Sequence, residues 1–464
     1  MNFRLEEIAD HVAGELDRSE TTRVRGYSID SRSIKQGELF FAVRGPNFDG
    51  HDFVREAAGR GASGAVVAAG FRGGDDLPLI RVGSPPDALG SLARAVRRAW
   101  GGPLVAVTGS IGKTTTKEMI STVLGERRMV LRSVGNMNNE YGLPLCLLRA
   151  EKYHDFAVLE MGMSATGEIQ KLAAIAEPNE GVITNVNPVH LEFFKSIGEI
   201  AQTKAELLEG LTGGERRAYL NNDDSRVRAM SRRFDGEIVT YGVRSVAAFR
   251  VTRIENLGLE GTGFTVRHGR REVNFVLPML GAHNVSNVVA AISVGVTHGI
   301  SWDEARLAVE KMAPEKMRGT VVNFREGFAL IDDSYNSSPK ALTEMTKLLG
   351  QFSGFGRKIL VAGEMLELGA TSGKLHAACG KEAVKAGIEL IVGVGDGARA
   401  LVDGAAEAGA DPAGLLFARD SIEAGDLLTQ TLRKGDLVLL KGSRGVHLEQ
   451  VLDTLRLSFS SLEP

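Results

Sequence analysis

Gly109-Ser110-Ile111-Gly112-Lys113-Thr114 is a shortened phosphate-binding pattern. The common form places four residues between its two glycines, ahead of Lys and Ser/Thr. Here two residues stand there. The surroundings are those such a loop requires: the strand-like run Leu104–Thr108 precedes it, and KTTTKEMISTVL opens a helix directly after it. Backbone N–H groups from Gly109 to Thr114, with Thr115 behind them, are expected to point at phosphate oxygens. The helix N-terminus adds partial positive charge. Lys113 would neutralise the terminal phosphates and Thr114 could ligate magnesium. A plain glycine turn between strand and helix is the competing reading. Gly-Lys-Thr in full strand-loop-helix context favours a nucleotide.

Other residue types fit the same chemistry but carry blander readings. Glu160 closes the strand-like FAVLE, and sites in parallel sheets gather at such C-terminal ends; alone it reads equally as a solvated charge. His190 in NPVHLE reads by itself as a partly buried structural histidine. Lys204 in AQTKAELLEGL reads as a solvated helix lysine. His283 and Asn284 open a helical run in which Asn284 and Asn287 share one face. Asn amides can pair with adenine N6 and N7, whereas an Asn at a helix start can simply cap it.

These residues need elements to hold them. The 464-residue chain exceeds one ordinary core, so several domains are expected. It is 43% hydrophobic and 24% charged, a soluble globular balance. A net charge of −3 gives no case for nucleic acid or membrane. The two cysteines, Cys146 and Cys379, are too few for a disulfide framework or a cysteine zinc site. No signal-peptide pattern or membrane-length apolar run occurs, so the cytoplasm is expected. A monomer is expected as well.

The opening stretch MNFRLEEIADHVAGEL reads as an amphipathic helix. GELFFAVRG, GAVVAAG and DALGSLARAVRRAW then read as strand, strand and helix, ending at Gly101-Gly102-Pro103. Beyond it, strand-like and helical runs alternate, which argues for a parallel sheet with helices on both faces. FRVTRIENLGLEGTGFTVRHGRREVNFVLP reads as antiparallel hairpins. From about Arg318-Gly319, ALIDDSY, KILVAGEM, LIVGVGDG and LVLLKGSRG read as a second doubly wound sheet. The expected architecture is α/β in three domains. They are a small N-terminal domain (residues 1–101), a central parallel-sheet P-loop ATPase-like domain (102–316) and a C-terminal Rossmann-like domain (317–464).

The short T-G-x-x-G-K-T loop, with the blocks that follow it, resembles the Mur ligases and their relatives the folylpolyglutamate synthetases. The resemblance covers nearly the whole chain: YSIDSRSIKQGELFFAVRGPNFDGHDF, GNMNNEYGLPL, LEMGM, TNVNPVHLEFFKSIGEIAQTKAEL, GAHNVSNVVAA, DDSYNSSP, GEMLELG and KGSRGVHLE. It departs at Tyr141, at Asn187-Pro188 and at Glu364, none of which removes a charge the chemistry needs. The resemblance implies an ATP-dependent, ADP-forming amide ligase of peptidoglycan precursor synthesis. DDSYNSSP and GEMLELG point to the member that joins D-alanyl-D-alanine to UDP-N-acetylmuramoyl-tripeptide. By the same resemblance, Glu160, His190, Thr114 and a carbamylated Lys204 would hold two magnesium ions. Arg318 and Asp333 would meet the phosphates and ribose of ATP, and His283, Asn284 and Asn287 its base. Ser31, Arg32 and Asn47 would contact UDP, Asn136, Asn138 and Asn139 the peptide amides, and Tyr335, Asn336 and Ser337 the dipeptide and tripeptide. A diaminopimelate- or lysine-adding relative, and a nucleotide-switch binding protein, are the alternatives.

Overall fold

The computed structural model describes residues 3–18, 23–45, 47–74, 76–188 and 194–462. The chain forms two compact units. One comprises Met1–Asn187, Ile197–Arg250 and Ser286–Ala305; the other comprises Pro188–Ser196, Val251–Val285 and Arg306–Pro464.

Among the described residues, the first unit begins with a five-stranded sheet. Its order is Glu15–Leu16, Leu79–Val82, Gly64–Ala68, Glu38–Phe41, Gly26–Ser28. The last four strands are parallel, and the first pairs antiparallel with Leu79–Val82. The opening helix is shorter than its amphipathic pattern suggests. It ends at His11, because Ala13 turns left-handed at φ 49° and Gly14 lies against the next strand. A Cβ on Gly14 would sit 2.7 Å from Ile80 Cγ2.

The helix Pro85–Trp100 starts on Ser84, whose Oγ accepts from Asp87 N, and stops at Gly101 with φ 69°. That residue pattern is what ends helices. The following Gly-Gly-Pro is not a slack tether, because the helix before it is bonded to the helix Glu168–Ala176 and the turn after it. Arg97, buried, donates to the Ala176 carbonyl at 2.8 Å and to Asn179 Oδ1 at 3.0 Å. Arg94 and Arg98 both reach Glu177 at 2.7 Å.

Among the described residues, the nine-stranded second sheet has a parallel part in this unit, in which Phe249 and Arg250 of the strand Phe249–Asn256 pair with Tyr241 and Gly242. From there it runs Glu237–Gly242, Arg217–Asn221, Glu180–Ile183, Leu104–Thr108, Phe156–Glu160, Val130–Arg132. Chain connections leave Leu104–Thr108 in one direction and Glu180–Ile183 in the other. The C-terminal ends of these two neighbours therefore form the switch point where open α/β sheets bind ligands.

The second unit carries an antiparallel hairpin, Thr262–His268 against Arg271–Leu277. Among the described residues it also carries a seven-stranded sheet. The order is Leu415–Ala418, Leu390–Val394, Lys358–Gly363, Leu437–Lys441, Ala329–Asp332, Thr320–Phe324, Ser461–Leu462. The first five are parallel, and Thr320–Phe324 pairs antiparallel with both its neighbours, Ala329–Asp332 and Ser461–Leu462. One core, including Leu342, Leu349, Leu360 and Leu439, packs on one face; another, including Leu428, Val438, Val451 and Leu455, packs on the other. The antiparallel strand Thr320–Phe324, next to the edge strand Ser461–Leu462, is not evident from the sequence pattern.

Candidate active site

Loop and helix form where the sequence places them: Leu104–Thr108 is a fully buried strand and Lys113–Leu124 a helix. Gly109 and Gly112 take φ of 152° and 84°. A Cβ on Gly112 would lie 2.6 Å from Asn287 Oδ1, and one on Gly109 would overlap Thr184 Oγ1. Close approach explains both glycines.

The loop does not present all its amides to a ligand, which corrects the sequence expectation. Ser110 N donates to the Asn185 carbonyl at 2.9 Å, and Ile111 N to Asn185 Oδ1 at 3.0 Å. Thr184 Oγ1 and Asn185 Nδ2 both donate to the Ile111 carbonyl. Ser110 Oγ accepts from Asn187 N at 2.8 Å. The segment after Glu180–Ile183 thus holds the first half of the short loop. What remains for an anion is the helix start, where Gly112 provides no side-chain cap and no acidic residue lies in the first turn. Lys113 is half-buried rather than freely solvated, with its amine donating to the Gly109 carbonyl at 3.1 Å. Thr114 is buried and Thr115 half-buried beside it.

Glu160 ends its strand with only 1% of its surface exposed. Its Oε1 accepts from Asn138 Nδ2 at 2.6 Å, while Oε2 is buried with no hydrogen-bond partner. A buried carboxylate oxygen left unpaired is costly, and a hard divalent cation is what such an oxygen suits. Asn138 thus holds the carboxylate through its amide nitrogen. Asn139 Oδ1 accepts from Tyr141 N and Gly142 N, so it fixes the start of the helix Gly142–Leu147. Asn136 is exposed.

Lys204 overturns the reading of a solvated helix lysine. It faces inward on Ile197–Glu209 and is 2% exposed. Burial, then the charge of Lys113, pushes its pKa well below the usual lysine value. His190 lies outside the described residues. Among the described residues, no three His, Cys, Asp or Glu side chains gather as a metal cluster.

Ser31 is buried and donates to Glu56 Oε2 at 3.1 Å. Arg32 is exposed and ion-paired with Asp30 at 2.8 Å, holding the Asp30 carboxyl below its usual range. Asn47 is exposed.

In the second unit, Asp333, half-buried, follows the strand Ala329–Asp332, and Lys441 ends Leu437–Lys441. Lys441, buried, donates to Asp333 Oδ2 at 2.6 Å and to the Asn336 carbonyl at 3.0 Å. Burial lowers the pKa of His283, against opposing pulls from Asp333 and Glu344. The Arg318 guanidinium lies 4.0 Å from the centre of the Tyr335 ring. Asn336 is exposed, with Oδ1 accepting from Ser337 N. Ser337 Oγ is buried without a partner. The helix after Gly281 begins at Ala282, so Asn284 sits inside its first turn. There Asn284 Nδ2 donates to the Leu280 carbonyl at 2.9 Å, and the capping alternative does not hold.

Reasoning from sequence missed Lys117, Asn185 and Asn187. The two asparagines had a signal: polar residues directly after a buried strand at the switch point.

The arrangement defines a class. Family models match over most of the chain: Mur ligase family, catalytic domain, over residues 23–97; Mur ligase middle domain over 107–295; Mur ligase, glutamate ligase domain, over 317–444. The chain belongs to the Mur ligase family. It is 34% identical to the UDP-N-acetylmuramoyl-tripeptide–D-alanyl-D-alanine ligase of Bacillus subtilis, covering 97% of each chain. The crystal structure of MurF from Acinetobacter baumannii superposes with a TM-score of 0.88 at 27% identity, covering 98% of this chain and 99% of that one. MurF ligase from Thermotoga maritima in complex with ADP gives 0.83 at 29% identity, covering 94% and 98%.

Proposed function

We propose that this chain is an ATP-dependent, ADP-forming ligase that joins D-alanyl-D-alanine to UDP-N-acetylmuramoyl-tripeptide, making the pentapeptide precursor of peptidoglycan. The observation that carries the reading is the unpartnered Glu160 Oε2, buried in the same unit as a glycine-Lys113 loop and the buried Lys204 amine. Near-full-length similarity to relatives named for this reaction supports the substrates. The relative crystallised with ADP supports the nucleotide.

The reaction brings two anions together, the terminal carboxylate of the tripeptide and the γ-phosphate. A carboxylate oxygen attacks the γ-phosphorus and ADP leaves, giving an acyl phosphate. The dipeptide amine then attacks the acyl carbon, phosphate leaves, and the nitrogen gives up a proton. Lys113 and the helix start at Gly112 offset the phosphate charge. Magnesium, when bound, would neutralise charge on the phosphates and orient them. Thr114, Glu160, His190 and Lys204 as its carbamate are the proposed holders. The carbamate would form when the Lys204 nitrogen, as the neutral amine, bonds to carbon dioxide and loses a proton, turning an uncharged amine into an anionic oxygen ligand.

Asn284, Asn287 and His283 are proposed for the adenine, and Arg318 and Asp333 for the phosphates and ribose. Ser31, Arg32 and Asn47 are proposed for UDP; Asn136, Asn138, Asn139, Tyr335, Asn336 and Ser337 for the peptides. The domain limits 1–101, 102–316 and 317–464 belong to the same proposal, as do a cytoplasmic location and a monomeric state. The two cysteines are free and buried, in keeping with a reducing compartment. Among the described residues no helix is long and apolar enough to cross a membrane.

The test is a mass-spectrometric product assay with ATP, magnesium, D-alanyl-D-alanine and UDP-tripeptides bearing lysine or diaminopimelate at the third position. A pentapeptide product with stoichiometric ADP is expected from at least one. Nucleotide turnover with no amide product from either would refute the reading and favour a nucleotide switch.

A further inference from the structure

Lys117 lies one helical turn after Lys113 and is fully buried, with 0% exposure. An ammonium in that position is costly unless paired, and a methionine would fill similar space without the charge. Its partners indicate what the amine contributes. Nζ donates to the Ser133 carbonyl at 2.7 Å and, at a longer 3.5 Å, to the Gly135 carbonyl. Glu118 Oε1, 2.7 Å away, balances its charge.

Those two carbonyls mark where the strand Val130–Arg132 passes into the loop carrying Asn138. Ser133 is itself buried, and its Oγ accepts from the backbone N of Glu160 at 3.0 Å. Ser133 N donates to the Val158 carbonyl at 3.2 Å. Further along the loop, Asn138 Nδ2 holds Glu160 Oε1, and Gly162 N donates to the Asn138 carbonyl at 2.8 Å. The carboxylate is thus gripped at its backbone and at one oxygen by a single loop, and that loop is fastened to the phosphate-loop helix by Lys117.

We propose that Lys117 and Ser133 are positioning residues: they set the 133–138 loop so that Glu160 turns its unpartnered oxygen toward the metal bound with the nucleotide. The inference rests on Glu160 serving a metal, as proposed above. It adds a strut between the phosphate-binding helix and the metal-binding strand. Hydrogen-bond partners behind a metal ligand commonly matter by roughly 10–100-fold in metal affinity.

The experiment measures Mn²⁺ binding to the full chain in the presence of ADP, by the electron paramagnetic resonance signal of free Mn²⁺. It compares the native chain, Lys117→Met, Ser133→Ala and Glu160→Gln, with thermal melts of each. Lys117→Met is expected to weaken Mn²⁺ about tenfold or more, with ADP affinity in the absence of metal changed less than about threefold. Ser133→Ala is expected to weaken Mn²⁺ in the same direction and keeps the test available should Lys117→Met fail to fold. A purely structural role would lower the melting temperature and leave Mn²⁺ affinity unmoved. Either folded variant binding Mn²⁺ within about twofold of native, while Glu160→Gln does not bind it, overturns the strut alone. Native Mn²⁺ affinity in Glu160→Gln would instead overturn the metal role of Glu160 on which the strut depends.

Discussion

Replacing Glu160 with glutamine should stabilise the metal-free chain while removing its activity. The side chain is 1% exposed, one oxygen is held by Asn138 at 2.6 Å, and the other has no partner. An unsatisfied buried polar group costs about 1–3 kcal/mol, and more when charged. Glutamine keeps the shape and keeps an oxygen for Asn138, but removes the charge. Its amide still lacks a partner, so only part of the penalty is relieved: about 1 kcal/mol or more, or roughly 2–4 °C in melting temperature for a large domain. Ligation should fall about a hundredfold or more, because the lost charge acts where phosphate charge must be offset. Scanning calorimetry with ADP, with and without magnesium, separates the two effects. Magnesium should raise the native midpoint above that with ADP alone, by mass action, and leave Glu160→Gln unmoved. A Glu160→Gln chain that is less stable without metal and turns over at the native rate would refute the reasoning and make Glu160 a structural residue.

Lys113→Ala should lose about a hundredfold or more in ligation rate with little change in denaturation midpoint; native-like turnover would remove the loop from the mechanism. Lys204→Ala should lose most activity and recover part of it with added acetate or formate, whereas full activity without either would end the carbamate assignment. Because the folded-state pKa of Lys204 lies well below its ordinary 10.5, the unfolded chain holds a proton there that the folded chain lacks. Between those two values, in carbon dioxide-free buffer, stability should rise with pH, and Lys204→Ala should flatten that rise in denaturation midpoints. Gly109→Ala should destabilise by roughly 1–3 kcal/mol or more, since φ is 152° and the new Cβ would overlap Thr184 Oγ1; unchanged stability by chemical denaturation and unchanged ATP affinity by calorimetry would contradict it.

Local chemistry makes much of this molecule legible in its sequence. Leu104–Thr108 and Lys113–Leu124 follow from a buried apolar run, two glycines and a strong helix-forming stretch, all within one window of sequence. Glu160 was readable as a strand-end carboxylate for the same reason. What pairs with what was not readable. Asn138 finds Glu160 across 22 residues, and Ser110 and Ile111 spend their amides on Asn185, more than 70 residues away. Lys204 and Lys117 look like surface lysines because helix periodicity encodes a face, not what packs on it; their burial is a tertiary fact. Asn284 looked like a cap because a sequence cannot fix a helix start to one residue. Gly101-Gly102-Pro103 reads as a domain boundary, whereas Arg97's bonds across it to Ala176 and Asn179 leave no local trace. Thr114 as a magnesium ligand is readable from the loop pattern; the metal roles of His190 and Lys204, and the carbamate, come with the family resemblance alone.

The most direct test of the central claim is to follow the oxygen atoms. UDP-N-acetylmuramoyl-tripeptide labelled with ¹⁸O in its terminal carboxylate is incubated with ATP, magnesium, D-alanyl-D-alanine and the purified chain, and the released phosphate is weighed by mass spectrometry. Activation through an acyl phosphate transfers one labelled oxygen to phosphate for each amide formed. Pentapeptide formed with unlabelled phosphate, or ADP formed with no amide, would contradict the account.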